Sequence, residues 1–437
     1  MTDRTVRVGL CGLGTVGQGV LALLSEGGSA ITARSGAQLV VTHVGTRTPK
    51  PDVDTGGATD SRDVFDVARD PNVDVLIELI GGTTVAKDLV IEALQHQKHV
   101  VTANKALLAD HGAELFSLAE QQGVSLQYEA AVAGGIPIIE TVKTSLAANE
   151  VTSVAGIING TGNFILTAMA SEGRAFDDVL AEAQKLGYAE ADPTFDVDGT
   201  DAAQKLVLLA SLAFGSAISS DAPYKQGVDS VAPADLEFAR ELGYRIKHLG
   251  IAKRDNKALQ LRVHPTLIPE GKAIAQVDGV LNAVMVNATG VGELLLVGPG
   301  AGSRPTASAV CGDLVSIAAS LARGEIPASP GMGIPVATLE KTTIADIADV
   351  ASSWYLRLNA EDKPGVMAAI TKCLSEQGIG IESLIQKPDA SAGSHVPVII
   401  LTDSATTRSL DTAVSAIEAV PSVVGNVTCL RVENFNQ

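Results

Sequence analysis

Near its start the chain carries a glycine pattern between an apolar segment and a helix-like one, and this pattern limits the fold most strongly. Residues 6–24 read VRVGLCGLGTVGQGVLALL, which predicts a strand, a tight turn and a helix. The turn fits the G-x-G-x-x-G pattern of dinucleotide-binding βαβ units, in which the phosphates sit on the helix start. A βα turn without a ligand is the alternative. The pattern consists of Gly12, Leu13, Gly14, Thr15, Val16 and Gly17.

The second predicted strand, in residues 37–49, bears on which dinucleotide is bound. NAD sites usually carry Asp or Glu at the end of this strand to accept a hydrogen bond from the ribose. Here the strand ends in Gly45-Thr46-Arg47, without an acid. Arg47 is suited to a 2′-phosphate, so the sequence favours NADP(H), with NAD(H) still possible. A loop arginine in water is the alternative for Arg47.

Strands alternate with helices up to about residue 135, which predicts a doubly wound parallel sheet. Ligands bind at the carboxyl ends of such strands. Lys105 follows the strand HVVT at that edge, so we expect it to face the cofactor. An exposed lysine at a helix start is the other interpretation.

Residues 191–210, ADPTFDVDGTDAAQKLVLLA, place clustered aspartates ahead of an apolar helix. Proline, glycine and aspartate predict no regular element over 191–199, with Asp198 or Thr200 as the N-cap. Asp201 and Lys205 are four residues apart and share a helix face. They could form a surface ion pair, worth about 0.3–0.5 kcal/mol. Because the helix after Lys205 is apolar nearly all round, a functional pair is favoured.

Charge and composition exclude several classes of protein. The net charge is −18, without a basic stripe, so we expect no nucleic-acid partner. Four scattered cysteines suggest neither a zinc site nor a disulfide framework. No run approaches 18 apolar residues and no signal peptide fits the start, so we expect a cytoplasmic protein without a membrane span.

Five segments resemble, in order, motifs of the homoserine dehydrogenase family. The most specific is YAEADPTFDVDGTDAAQK (188–205), which has the family form D-P-x-x-D-x-x-G-x-D-x-x-x-K. The others are TANKALLA, YEAAVAGGIPI, NGTGNFIL and GPGAGSRPTASAV. The resemblance implies an NAD(P)-dependent oxidoreductase that interconverts aspartate 4-semialdehyde and homoserine, in the biosynthesis of threonine, methionine and isoleucine. It also implies a homodimer or homotetramer.

The resemblance assigns roles to particular residues. Lys205 matches the proton donor, and Lys105 could share that role. Glu190 and Asp201 match acids that bind the substrate, and Gly187 and Gly302 match positions that contact the cofactor. A sodium ion is implied at a further set, whose oxygen ligands suit a hard cation. That set is Glu129, Val132, Gly134 and Ile136.

The last part of the chain changes pattern to βαββαβ, which predicts a ferredoxin-like unit. It resembles an ACT domain at Asp362-Lys363-Pro364-Gly365-Val366, which implies an amino-acid effector, threonine in this family. The alternative is a dimerisation module without a ligand.

The predicted fold class is therefore α/β with three domains. A Rossmann domain (1–135) precedes an α+β catalytic domain (136–325) whose last part returns to the cofactor domain, and an ACT-like domain (350–432) follows. Two other functions stay open on the residues alone. A phosphorylating semialdehyde dehydrogenase would need a nucleophilic cysteine, for which only Cys311 is arguable. A non-catalytic nucleotide and amino-acid sensor would need neither lysine.

Overall fold

The structure is a computed structural model that describes residues 4–255, 258–325, 330–387 and 395–435. The chain divides into two compact units, each assembled from three segments. Unit 1 comprises residues 1–158, 203–222 and 281–342. Unit 2 comprises residues 159–202, 223–280 and 343–437.

Strands and helices are numbered in chain order. The strands are β1 (Arg4–Cys11), β2 (Ala37–Gly45), β3 (Thr59–Ser61), β4 (Val75–Glu78), β5 (His99–Thr102), β6 (Leu126–Gln127), β7 (Val151–Ile157), β8 (Tyr224–Lys225), β9 (Tyr244–Asp255), β10 (Ala258–Pro269), β11 (Leu281–Ala288), β12 (Gly292–Pro299), β13 (Thr343–Ile344), β14 (Ala351–Glu361), β15 (Ile381–Gln386), β16 (His395–Thr402), β17 (Ala405–Thr406) and β18 (Val423–Val432). The helices are α1 (Thr15–Ser35), α2 (Val64–Arg69), α3 (Thr84–Gln95), α4 (Lys105–Gln122), α5 (Ile138–Glu140), α6 (Gly160–Glu172), α7 (Phe176–Lys185), α8 (Thr194–Val197), α9 (Thr200–Phe214), α10 (Pro233–Glu241), α11 (Ser303–Ala322), α12 (Val366–Glu376) and α13 (Thr407–Glu418).

Unit 1 contains a parallel sheet with the strand order β3-β2-β1-β4-β5-β6. Its central strands are buried on both faces, which explains why they read as continuous apolar runs. The order reverses between β1 and β4, where such sheets bind their ligands. The predicted Rossmann-like parallel sheet is confirmed. A three-stranded antiparallel sheet, β12-β11-β7, belongs to the same unit.

Helix α11 packs in the hydrophobic core of the parallel sheet. Its Ala307, Val310 and Leu314 join the cluster that contains Val8 and Leu10 of β1. The helix begins at Ser303. Among the described helices, it is also the one that is long and apolar enough to cross a membrane. Length and composition alone decide this, and the core helix of a folded domain meets the same criteria.

Unit 2 is built on a mixed sheet with the order β9-β10-β18-β14-β16-β15. β10 pairs antiparallel with β9 and parallel with β18, and β18, β14, β16 and β15 pair antiparallel in turn. The β10–β18 pairing therefore joins β9 and β10 to the strands after residue 350 in one sheet. Tyr355, Leu430 and Val432 lie in the same buried cluster as Ile165 and Met169 of α6.

The segment before α9 is more regular than its composition indicates. The prediction of no regular element over 191–199 is wrong where α8 forms a single turn. Pro193 fits at that helix start, and the Asp192 carboxylate accepts a hydrogen bond from the Thr194 amide at 3.1 Å. At α9, Thr200 is the first helical residue, and Asp198 accepts from its amide at 2.8 Å. Gly199 therefore occupies the N-cap position, and neither of the two predicted N-cap residues does.

Candidate active site

The glycine turn after β1 has the geometry of a phosphate-binding turn. Gly12 has φ +105°, and a Cβ there would lie 2.5 Å from the Leu79 carbonyl oxygen. A Cβ on Gly17 would lie 2.1 Å from the Gly12 carbonyl oxygen, so the start of α1 packs directly on the turn. At Gly14, within the described part of the chain, a Cβ would meet no atom within 4 Å. The turn thus has no room for a side chain at Gly12 or Gly17, whereas the space beside Gly14 is open.

The helix start supplies the donors for an anion at this open position. Gly14 caps α1, and Thr15 is exposed in the first turn, where helix amides lack partners within the helix. Leu13 is 4% exposed and Val16 packs against the same core, so only their backbone can face a ligand. The site can hold a pyrophosphate by backbone amides alone.

Arg47 is exposed two residues after the end of β2. The turn before it is close to the glycine fingerprint, because the Gly12 amide donates to the Gly45 carbonyl at 2.9 Å. A second arginine, Arg62, donates from Nη1 to the Thr46 carbonyl oxygen at 2.9 Å. Sequence reasoning missed Arg62, since only the β2–β3 pairing of Gly45 with Ser61 brings it to this edge.

Lys105 is the first residue of α4 and is partly buried. Asn104 caps the helix by accepting from the Leu107 amide at 3.1 Å. A cation in the first turn opposes the helix dipole, which favours anions there. The position costs helix stability, which favours a functional reason for a lysine at the carboxyl edge of β5.

Two aspartates meet at Asn159, the residue before α6. Its Nδ2 donates to Asp196 Oδ1 at 2.9 Å and to Asp201 Oδ2 at 2.8 Å, and its Oδ1 caps α6 through the Gly162 amide at 2.7 Å. Asp201 is only 4% exposed. The sequence motif contained Asn159, but nothing in its spacing assigned the residue this part. Paired carboxylates held by one amide are suited to an ammonium group.

Lys205 lies on α9, and its Nζ donates to the Ile158 carbonyl oxygen at 2.8 Å. Its side chain is partly buried, and every residue from Leu206 to Ala210 is buried. The predicted buried helix is confirmed. One of the three donors of the ammonium is thereby held by a carbonyl oxygen.

Three further predicted residues lie in loops or at helix ends. Glu190 is exposed in the loop after α7, and its carbonyl accepts from Gln184 Nε2 at 3.1 Å. Gly187 ends α7 with φ +77°, and Gly302 precedes α11 with φ +116°. Beside Gly302, Ser303 donates from Oγ to the Thr15 carbonyl at 2.8 Å, which ties the α11 start to the fingerprint turn.

The loop from Glu129 to Ile136 encloses buried negative charge. Glu129 is 7% exposed and accepts from the Ile139 and Glu140 amides, both at 2.8 Å. Its own amide donates to Asp313 Oδ2 at 3.0 Å. Burial and the neighbouring Glu129 raise the pKa of Asp313 to about 8. The carboxylate of Glu129 and the carbonyls of Val132, Gly134 and Ile136 offer oxygen donors only, the type of ligand that a hard monovalent cation takes.

No cysteine here supports a nucleophilic mechanism. Cys311 lies inside α11, and burial raises the pKa of its thiol to about 12. The described residues also include no group of three or more His, Cys, Asp or Glu side chains arranged for a metal. The arrangement favours hydride chemistry with a bound dinucleotide over chemistry through a cysteine.

Comparison with known proteins agrees with this chemistry. Family models described as "Homoserine dehydrogenase, NAD binding domain" and "Homoserine dehydrogenase" match residues 12–129 and 137–315. A homoserine dehydrogenase of Pseudomonas aeruginosa is 48% identical over 433 residues, which cover 99% of this chain and 100% of that protein.

Solved structures give the same result. The crystal structure of a homoserine dehydrogenase from Thiobacillus denitrificans matches with a TM-score of 0.93 and 45% identity, over 99% of both chains. A hyperthermophilic archaeal homoserine dehydrogenase in complex with NADPH matches with a TM-score of 0.61 and 25% identity, over 72% of this chain and 98% of that chain. The fold, the fingerprint turn and the near-complete coverage agree: the chain belongs to the homoserine dehydrogenase family and is an NAD(P)-dependent oxidoreductase.

Proposed function

We propose that Lys205 is the principal proton donor of this dehydrogenase and that Lys105 assists it. When bound, the reduced nicotinamide supplies a hydride to the aldehyde carbon of aspartate 4-semialdehyde. Negative charge then develops on the aldehyde oxygen, and the Lys205 ammonium transfers a proton to it to give homoserine. The reverse reaction uses the neutral amine as the base. The partly buried ammonium of Lys205, fixed by the Ile158 carbonyl, is the observation that carries this proposal.

The carboxylates supply the other half of the proposed mechanism. The substrate keeps an α-ammonium group throughout the reaction, and a carboxylate within hydrogen-bond distance binds it most strongly. Asp201, held by Asn159, is the proposed partner, together with Glu190. The steady-state oxidation of NADPH by the purified protein with aspartate 4-semialdehyde tests this reaction, and absence of turnover would contradict it.

For the cofactor we propose a preference for NADP(H) over NAD(H), with Arg47 and Arg62 facing the 2′-phosphate. Arg47→Ala is expected to raise KM for NADPH about tenfold and leave KM for NADH within about twofold, because only NADPH carries the extra phosphate. Steady-state kinetics with both cofactors measures this. Arg34→Ala, at the far end of α1, is the control. An equal effect on both cofactors would contradict the assignment.

We further propose a sodium ion at Glu129, Val132, Gly134 and Ile136, with a structural role. The raised pKa of Asp313 lowers stability as pH rises from about 4 to about 8, because the folded state keeps a proton that the unfolded state has lost. A bound cation reduces this loss. Replacing choline chloride by sodium chloride should therefore raise Tm by about 2–4 °C at pH 8.5 and by less at pH 5.5.

Thermal unfolding at equal ionic strength measures this effect. Glu129→Gln should abolish the difference between the salts, because it removes the carboxylate ligand. Identical sodium responses at both pH values in the unsubstituted protein would exclude a site linked to Asp313.

We propose that residues 350–432 form an ACT-like module that binds threonine as a feedback effector. The element order β14-α12-β15-β16-β17-α13-β18, in which β17 has only two residues, and the strand order β18-β14-β16-β15 support it, as does Gly365, which caps α12 with φ +92°. A homodimer or homotetramer and a cytoplasmic location complete the proposal. Equilibrium dialysis with labelled threonine tests the effector.

A further inference from the structure

A buried glutamate outside the proposed catalytic set lies at the switch point of the parallel sheet. Glu78 ends β4 and is 0% exposed. Its Oε1 accepts from the amides of Ile80 at 2.9 Å and Gly81 at 3.2 Å. Its Oε2 accepts from Thr102 Oγ1 at 2.6 Å, and Thr102 is equally buried at the end of the neighbouring strand β5. One carboxylate thus holds the turn after β4 and the last residue of β5.

The hydrogen bonds continue from Thr102 to the start of α4. The Asn104 amide donates to Thr102 Oγ1 at 3.0 Å, and Asn104 Nδ2 donates to the Gly82 carbonyl at 2.7 Å. The path from Glu78 through Thr102 and Asn104 returns to the Gly81–Gly82 turn, so it is a closed ring. We name it the Glu78 ring: Glu78, Gly81, Gly82, Thr102 and Asn104.

The Glu78 ring holds the backbone that carries Lys105. Asn104 belongs to the ring and also caps α4, whose first residue is Lys105. A Cβ added at Gly81 or at Gly82 would meet no described atom within 4 Å. The ring thus lies at the carboxyl ends of β4 and β5, the edge at which such sheets bind their ligands.

Burying a carboxylate between two strands costs free energy, because a charged group is disfavoured away from water unless hydrogen bonds replace those to water. For Glu78, the amides of Ile80 and Gly81 and the hydroxyl of Thr102 take the place of water as donors. Hydrogen bonds to a charged acceptor are short and directional. Such bonds fix a turn more firmly than apolar packing would. This free-energy cost is explained if the function of Lys105 requires the start of α4 to be held in position within fractions of an ångström.

We propose that Glu78 and Thr102 are positioning residues for hydride transfer, acting through Asn104 on Lys105. This inference rests on the proposed role of Lys105 near the reacting groups. Misplacement of a reacting group by about 1 Å costs on the order of 100-fold in rate. Loss of the ring should thus reduce kcat while the fingerprint turn continues to bind the cofactor.

Thr102→Val tests the proposal, because valine keeps the shape and removes the hydroxyl. We expect kcat for NADPH oxidation with aspartate 4-semialdehyde to fall about 10- to 100-fold. The Kd for NADPH, from its fluorescence, should stay within about threefold. Thr102→Ser, which keeps the hydroxyl, should restore kcat. A valine variant with kcat within twofold of the parent would overturn the proposal.

A double-mutant cycle with Lys105→Ala separates this proposal from the role of Lys105 itself. If the ring acts through Lys105, Thr102→Val adds no further loss in the Lys105→Ala background. Full additivity would overturn the ring's action on Lys105 while leaving the role of Lys105 intact. Wild-type kcat in Lys105→Ala alone would remove the role of Lys105, and the inference with it.

Glu78→Gln provides a second measurement if the valine variant does not fold. Glutamine keeps the shape but places an amide donor toward either Thr102 or the backbone amides. For Glu78→Gln we expect the same fall in kcat as for Thr102→Val, and no further loss when it is combined with Lys105→Ala. Unchanged kcat in a folded Glu78→Gln protein would overturn the proposal.

Discussion

Replacing Lys205 with alanine is expected to lower kcat about 10²–10⁴-fold, the usual contribution of general acid–base catalysis. The Kd for NADPH should change by less than about threefold, because the proposed dinucleotide site is the fingerprint turn and the start of α1, not α9. The fold should also survive, since Lys205 lies at a partly buried rather than a fully buried position.

Two further variants make the Lys205 result specific. Lys205→Arg keeps the positive charge, but guanidinium does not release a proton at neutral pH, so its kcat should stay low. Lys185→Ala, on an exposed position at the end of α7, should behave as the unsubstituted protein. Turnover, NADPH fluorescence and Tm are measured for all three. Substantial turnover in Lys205→Ala would exclude this residue as the acid.

Removing the residues after 350 is expected to unfold unit 2, not merely to remove the response to an effector. β18 lies beside β10 within one sheet, with Thr266 opposite Arg431 and Leu267 opposite Val432. The cut would also remove Tyr355, Leu430 and Val432 from the buried cluster around α6. A strand inside the sheet and part of its core would be lost together.

The fully buried Asp235 of α10 increases this loss. It accepts hydrogen bonds from Tyr355 Oη at 3.0 Å and from Arg357 Nε at 2.5 Å. Removal of both partners leaves a buried carboxylate without them, and breaking such a pair costs about 3–5 kcal/mol. That is a large fraction of the typical stability of a domain, about 5–15 kcal/mol.

Circular dichroism, calorimetry and size-exclusion chromatography of residues 1–350 measure the outcome. A version that ends after Phe435 keeps the whole of β18 and is the matched control. A cooperatively unfolding, active product of residues 1–350 would contradict the prediction. Because deletion damages unit 2, threonine sensitivity is better tested by single substitutions around Gly365.

Short stretches of sequence predicted the structural features that depend on local spacing and hydrophobicity. The fingerprint glycines, the buried run after Lys205 and the parallel sheet follow from spacing and hydrophobicity along short segments. Arg62 could not be identified as a cofactor-binding candidate from local patterns. It lies near the turn that carries Arg47 only because β3 pairs with β2. Asn159 was equally invisible, since its contacts with Asp196 and Asp201 depend on how α6, α8 and α9 are placed.

The C-terminal pattern shows the same limit at a larger scale. The strands and helices after residue 350 could be predicted from periodicity, but pairing of β10 with β18 could not. Nothing in the residues of either strand specifies a partner so distant in the chain. Burial of Arg262 and Arg431, both below 4% exposed in this region, also depends on tertiary packing.

The β10–β18 pairing has a consequence for synthesis on the ribosome. β10 emerges long before β18, and at about 5–20 residues per second the interval is on the order of 10–30 s. During this time Thr266 and Leu267, the part of the β10 edge that later pairs with β18, lack that partner, and an unpaired edge can template wrong pairings between nascent chains. Unit 2 must therefore finish folding after translation of β18, and chaperone binding to the nascent chain should concentrate in that interval.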